Sequence, residues 1–163
     1  MLRVKDITLI AILTAILFAQ EQILSFLPNI QLTVLLIVLY SKVLGLKKTI
    51  IIVTIHTFLD NLLMGFNIFY FPFMLIGWLI IPISLNTIFK RVNNTILLAF
   101  LGILFSFLYS WLFVFANVIL LQVGFWQYLI ADLYFEILLA ASSFFTILWL
   151  YDPLYKLMIE FQY

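Results

Sequence analysis

Apolar residues occur along this chain in six long runs, separated by short segments that contain proline, glycine, asparagine or lysine. Barrel strands would alternate apolar and polar residues at every second position, whereas these runs are uninterrupted. A helix needs about 20 apolar residues to cross a membrane, and only the second and third runs are short for that. The pattern predicts an all-α integral membrane bundle, one domain of six transmembrane helices near residues 7–27, 32–46, 49–65, 67–89, 95–121 and 125–151.

The composition excludes a water-soluble fold. Of the 163 residues, 67% are hydrophobic and 9% are charged, against about 45–50% and about 25% in soluble domains. A chain of this length has too little interior to bury so much apolar surface, and it is too hydrophobic to be disordered. The net charge of +1 gives no reason to expect a nucleic-acid partner. Because the sequence contains no cysteine, disulfides and thiolate metal sites are excluded as well.

The basic residues all fall on one side of the predicted topology. They precede the first helix, follow the sixth, and lie between the second and third and between the fourth and fifth: Arg3, Lys5, Lys42, Lys47, Lys48, Lys90, Arg91 and Lys156. By the positive-inside rule this side is cytoplasmic, and so are both termini. A cleavable signal peptide over residues 1–20 fits less well, because the apolar run continues to Leu27 and cleavage would leave one terminus outside.

The acidic residues are distributed differently, and four of them lie in the outer half of the predicted bundle or at its rim: Glu21, Asp60, Asp132 and Glu136. At a helical rise of about 1.5 Å per residue, Asp60 lies about 7 Å below the turn at Gly65, and Glu136 lies about 18 Å below Gly124. A carboxylate near the midplane costs about 2.5–3.5 kcal/mol on insertion scales, so such residues face a cavity, a partner or a ligand. For Glu136, a protonated carboxyl group hydrogen-bonded between helices is the alternative.

Spacing groups these carboxylates with other polar side chains. His56 and Asp60 are four residues apart, and so are Asp132 and Glu136, which places each pair on one helix face. Asn117 continues a polar stripe on the fifth helix. Three of the predicted helices therefore carry a polar stripe toward the same, outer end, and this convergence predicts a cavity open to the outside.

Two tryptophans, Trp111 and Trp126, add aromatic surface at similar depths, although tryptophan also belongs in the interfacial belts of membrane proteins. The candidate substrate-binding residues are His56, Asp60, Trp111, Asn117, Trp126, Asp132 and Glu136. A ligand that carries a carboxylate or phosphate would normally be bound by arginine or lysine, and every basic residue lies on the other side of the bundle. We therefore expect a neutral or cationic ligand that is aromatic or rich in amides.

The sequence carries no motif for catalysis or nucleotide binding. A single histidine cannot form a two-histidine metal site, and Ser142 and Ser143 have no basic partner to activate them. There is no phosphate-binding loop of the form G-x-x-x-x-G-K-[ST]. We expect a protein that is not an enzyme and binds no cofactor, so that any work driven by ATP falls to another chain. A stand-alone ion-coupled carrier or channel, using the membrane carboxylates, remains the alternative.

The first predicted helix carries a ladder of small residues, Ala11, Ala15 and Ala19. Alanines four residues apart lie on one helix face and let a second backbone approach closely, which drives helix association in lipid. The ladder predicts either a docking face for a partner or packing inside this same bundle.

On these features the chain resembles the substrate-binding S components of energy-coupling factor (ECF) vitamin transporters. The size and the predicted topology carry the resemblance over the whole chain. The motifs lie within residues 1–65: the alanine ladder, the run FLPNIQL at 26–32, the run LIVLY at 36–40, and Gly45.

The resemblance implies a protein of the bacterial plasma membrane that binds a vitamin or related micronutrient from outside. S components then associate with a transmembrane coupling subunit and two cytoplasmic ATPase subunits, which hydrolyse the ATP. By this resemblance the alanine ladder docks on the coupling subunit, and the outer loops enclose the substrate. The acidic cavity argues against folate and other dianions, whereas thiamine, a deazapurine amine and cobalamin all remain open.

Overall fold

The structure, a computed structural model, describes residues 3–63 and 65–160. These residues form α-helices and no strand: α1 (Val4–Leu24), α2 (Thr33–Leu44), α3 (Leu46–Leu63), α4 (Tyr70–Asn86), α5 (Thr95–Leu121) and α6 (Phe125–Glu160). The predicted all-helical fold is therefore confirmed. Among the described helices, α1, α5 and α6 are long and apolar enough to cross a membrane, and α2 and α4 are shorter apolar helices.

The helices begin and end at residues with clear backbone reasons. Gly45 separates α2 from α3 and has φ +75°, a conformation that L side chains rarely adopt. Asn94 caps α5, because its side chain accepts hydrogen bonds from the N–H groups of Ile96 and Leu97, two of the donors that a helix start leaves free. The first helix ends at Leu24, before the predicted end at Leu27.

The last helix differs most from its predicted bounds. The sequence predicts an end at Tyr151, before Asp152 and Pro153, but α6 continues through Pro153 to Glu160. A proline removes one helical hydrogen bond, and side-chain packing offsets this loss. Tyr151 is buried and its ring stacks on Tyr155 with centroids 5.6 Å apart.

Helix α2 lies at the centre of the bundle. All nine residues from 33 to 41 are buried, and α2 contacts each of the other five helices. Lipid tails are as apolar as leucine, so close van der Waals packing rather than exclusion from water holds such a helix in a membrane. The continuous apolar sequence of α2 suits this central position, since no face of it needs to be polar.

Polar contacts divide the bundle into two ends. At the basic end, Lys48 Nζ lies 2.8 Å from Asp6 Oδ1, and Lys42 Nζ donates to the Phe89 carbonyl at 3.1 Å. At the other end, here called the cavity end, the contacts join the end of α1 to α3 and the start of α4 to the end of α5. The eight basic residues therefore cluster at one end of the structure, and the acidic residues of the predicted site lie toward the other.

The ring of outer helices is open between α1 and α6, which do not contact each other in the described structure. Residues 25–32, here called the bridging segment, span this gap. Asn29 Nδ2 donates to the Phe135 carbonyl at 2.9 Å. The Gln31 N–H donates to Ser142 Oγ at 3.1 Å, and that hydroxyl donates back to the Gln31 carbonyl at 3.0 Å. The bridging segment is thus tied to α6 at two positions.

Candidate functional site

Two adjoining cavities, of about 400 and 490 Å³, lie at the cavity end. Volumes of this size suit small-molecule ligands. The ends of α1 and α3, the bridging segment, α5 and α6 line the first cavity. The ends of α1 and α3, the first half of α4 and α5 line the second, together with Asn67. The residues that line both form a shared wall, which consists of Glu21, Asp60, Tyr109, Phe113 and Asn117.

The acidic part of the shared wall is built from α1 and α3. His56 is fully buried and its Nε2 lies 3.1 Å from Glu21 Oε2. The two atoms are not aligned for a hydrogen bond, and within the described residues neither ring nitrogen has a hydrogen-bond partner. Asp60, one turn further along α3, is 3% exposed and accepts a hydrogen bond from Gln22 Nε2 at 3.2 Å. Two carboxylates and one imidazole therefore meet here, with a single hydrogen bond from a neutral amide.

Aromatic rings from α5 belong to the shared wall, and rings from α4 pack beside them. Tyr109 and Phe113 are neighbours with centroids 5.0 Å apart. Phe113 stacks on Tyr70 at 6.0 Å with an interplanar angle of 8°, and Tyr109 stacks on Trp78 at 3.8 Å. A row of four rings thus runs behind the cavities, and three of them line the open space.

Helix α6 contributes the second predicted carboxylate pair. Asp132 is half-buried and lines the first cavity together with Leu139. Glu136 lies between these two residues in the sequence and is 1% exposed, but it does not itself line either cavity. Its Oε1 atom has no hydrogen-bond partner among the residues that the structure describes. Glu136 is therefore the most strongly buried acidic group on this helix face. A carboxyl oxygen that is buried without a partner is costly.

Asn117 lies at the point where α5 meets α4. Its Oδ1 accepts a hydrogen bond from the Tyr70 hydroxyl at 2.5 Å, and its Nδ2 donates to the Phe113 carbonyl at 3.0 Å. Both ends of the amide are therefore bound to protein groups. Asn117 lines both cavities and holds Tyr70 against them.

The two predicted tryptophans lie outside the cavities. Trp126 is 71% exposed and Trp111 is 49% exposed, and neither is among the lining residues of the two cavities. The structure therefore brings together Asp60, Asn117 and Asp132 at the first cavity. His56 and Glu136 are buried and line neither cavity, although His56 contacts the lining residue Glu21.

Several lining residues were absent from the sequence-based candidates. Tyr109 and Phe113 precede Asn117 at intervals of four residues, and this spacing could have assigned them to its helix face. Glu21 was predicted to lie in the outer half of the bundle or at its rim, but its contact with His56 joins two helices whose relative register a sequence does not show.

The site's chemistry is acidic and aromatic. Of the basic residues, all of which the structure describes, none lines either cavity. The described residues also contain no group of three or more metal-ligating side chains. The arrangement can bind a small molecule by accepting its hydrogen bonds and stacking on its rings. Comparison of the chain with protein-family models, with curated proteins and with solved structures finds no match.

Proposed function

We propose that this chain is the substrate-binding (S) subunit of an ECF-type ABC importer. It captures a vitamin or related micronutrient from outside the cell and delivers it by association with a coupling subunit and ATPases. The observation that carries the proposal is the position of the polar cavities at the end of the bundle opposite all eight basic residues. By the positive-inside rule the basic end faces the cytoplasm, which turns the cavities outward.

The proposal includes six membrane crossings with both termini in the cytoplasm. The lengths and hydropathy of α1, α5 and α6 support three of these crossings directly. The other three crossings are assigned to the shorter apolar helices α2 and α4 and to the 18-residue α3, and α2 crosses at the centre of the bundle, where it is buried. A plasma membrane protein with this topology has little mass outside the bilayer.

The exposed face of α1 supports a partner in the membrane. Ala11, Ala15 and Ala19 are all exposed, and within the described structure α1 packs only against α2 and α3. The ladder is therefore not used for packing inside this bundle and is free to receive another helix. A transmembrane coupling subunit is the partner that we propose for it, and two ATPase subunits supply the energy from the cytoplasm.

A bulky residue in the ladder tests this partner. Because Ala15 is exposed, Ala15→Trp should leave the bundle folded and abolish both capture of the coupling subunit and uptake of the substrate, while substrate binding is retained. The matched control is Ile130→Trp on α6, because Ile130 is 71% exposed and its helix does not contact α1 in the described structure. Affinity purification from the native membrane, followed by mass spectrometry, measures the capture of the coupling and ATPase subunits.

Unchanged capture and uptake in Ala15→Trp would refute the docking face, and failure of the unsubstituted chain to capture any ATPase would refute the importer. A stand-alone ion-coupled carrier is the second candidate, favoured by the burial of Asp60 and Glu136. It predicts that the purified chain alone, reconstituted in vesicles, moves its solute when a proton gradient is imposed. The importer predicts no such movement without its partners.

A further inference from the structure

The shared wall determines what any ligand of the two cavities must contact. Its carboxylates, Glu21 and Asp60, come from α1 and α3, and its rings, Tyr109 and Phe113, come from α5. A molecule that fills either cavity, or extends through both, touches this wall. The chemistry of the wall therefore selects the ligand more strongly than that of the residues lining only one cavity.

The negative charge of the cavities has little compensation from the protein. Glu21, Asp60 and Asp132 line the first cavity. Within the described residues, the ion pairs of Lys48 and Arg3 both involve Asp6 at the basic end. The only basic group that the structure describes within 4 Å of the Glu21 carboxylate is the imidazole of His56. One imidazolium at most therefore faces three carboxyl groups. Burying uncompensated charge is costly, and a positively charged ligand would remove that cost.

Unpartnered polar atoms point to the same place independently of the charge count. His56 is fully buried, and its Nε2 lies 3.1 Å from Glu21 Oε2 without the alignment of a hydrogen bond. Both atoms lack a hydrogen-bond partner among the described residues. Nearly all buried polar atoms in native proteins are hydrogen-bonded. The Glu21 side chain is 22% exposed and lines both cavities, so its carboxylate is the group here that a ligand donor can reach.

Three of the four side-chain amides that line the first cavity already donate to the protein. Gln22 donates to Asp60, Asn29 to the Phe135 carbonyl, and Asn117 to the Phe113 carbonyl. The groups that remain at the shared wall are carboxylate acceptors, ring faces and the Tyr109 hydroxyl, which can also accept. Ring faces carry a partial negative charge and attract cations.

From these observations we infer that the cavities take an organic cation, whose charged nitrogen lies between Glu21 and Asp60 and the rings of Tyr109 and Phe113. The inference rests on the proposed function only in requiring that the cavities bind a small molecule. The sequence predicts a neutral or cationic ligand, and the shared wall favours the cation. The ligand should also carry a flat ring beside its charged nitrogen, since the wall offers stacking surface next to its carboxylates.

A series of three probes of one shape tests the charge directly. Benzylammonium, benzyl alcohol and benzoate share a ring and are a cation, a neutral molecule and an anion at neutral pH. Titration calorimetry on the purified chain in detergent should show benzylammonium binding at least about tenfold more tightly than benzyl alcohol, with benzoate weakest. This comparison needs no variant, so it does not depend on whether a substitution folds.

Substitutions then locate the charge. Glu21→Gln and Asp60→Asn should each weaken benzylammonium binding about fivefold or more and leave benzyl alcohol within about twofold. Glu160→Gln, which removes an exposed carboxylate at the far end of α6, should change neither. The inference is overturned if the unsubstituted chain shows no preference for the cation, or if both wall variants bind the cation as before. Capture of the ATPase subunits is unaffected by these results, so the importer and the cation can fail separately.

Discussion

Gly77 on α4 lies where the helix comes closest to the ring of Tyr109. A Cβ atom at position 77 would lie 2.6 Å from Tyr109 Cδ2 and 3.2 Å from its Cε2. The ring is also held by a stack on Trp78, with centroids 3.8 Å apart, and by Phe113 at 5.0 Å, which limits how far it can move away. Glycine at this position therefore sets where a residue of the shared wall lies.

We expect Gly77→Ala to lower the free energy of unfolding by about 1–2 kcal/mol, since overpacking outweighs the better helix propensity of alanine. The matched control is Gly102→Ala, whose new methyl group would meet the flexible end of Ile147 at 2.6 Å and should cost less than about 1 kcal/mol. Denaturant titration in detergent measures both. Equal losses in the two variants would show that the Tyr109 ring is not held rigidly.

Residue spacing predicted part of the site, and the reason is geometric. Pairs on one helix, such as His56 with Asp60, follow from the helical repeat. The contact between Glu21 and His56 does not, because it depends on how far α1 slides along α3. The same limit applies to the tryptophans: the position of Trp126 along its helix follows from the sequence, but the direction in which it faces does not.

At the scale of elements, the bridging segment lines the first cavity and is bound to α6. Its Gln31 backbone exchanges two hydrogen bonds with the Ser142 hydroxyl. The adjacent Ser143 is bound elsewhere, accepting from the Ser106 hydroxyl at 2.8 Å. Ser142 therefore binds the bridging segment to α6, and the neighbouring Ser143 joins α5 to α6.

We therefore expect Ser142→Ala to speed amide hydrogen exchange across residues 25–32 by about five- to tenfold, because two hydrogen bonds that close the segment are lost. Exchange in α2 should not change. Ser143→Ala is the control and should leave residues 25–32 as they were. Exchange measured by mass spectrometry on the purified chain decides this, and equal acceleration in both variants would contradict the assigned tie.

The helices themselves were largely predictable from the run of apolar residues. The fifth was expected at 95–121 and is observed at Thr95–Leu121, because Asn94 and the polar residues before it mark its start. The continuation of α6 through Pro153 was not predicted, since it depends on tertiary packing of Tyr151 and Tyr155. The central position of α2 could not be predicted either, because the same apolar sequence is compatible with a helix surrounded by lipid and with one surrounded by protein.

At the scale of the whole molecule, the two ends differ in charge and in shape. The basic end is joined by contacts such as that between Lys48 and Asp6, and the opposite end holds two cavities with acidic and aromatic walls. A protein with its cavity at one end and a small-residue face along one side is suited to capture a molecule and pass it on with a partner. This assignment requires that the cavity end face outward.

Single-cysteine labelling tests that orientation most directly, and the chain suits it because it contains no cysteine. Ser25→Cys places a thiol on an exposed residue that lines the first cavity, and Lys47→Cys places one on an exposed residue at the basic end. A membrane-impermeant maleimide should label Ser25→Cys in intact cells and Lys47→Cys only after the membrane is opened. Labelling of Lys47→Cys but not Ser25→Cys in intact cells would contradict an outward-facing binding site.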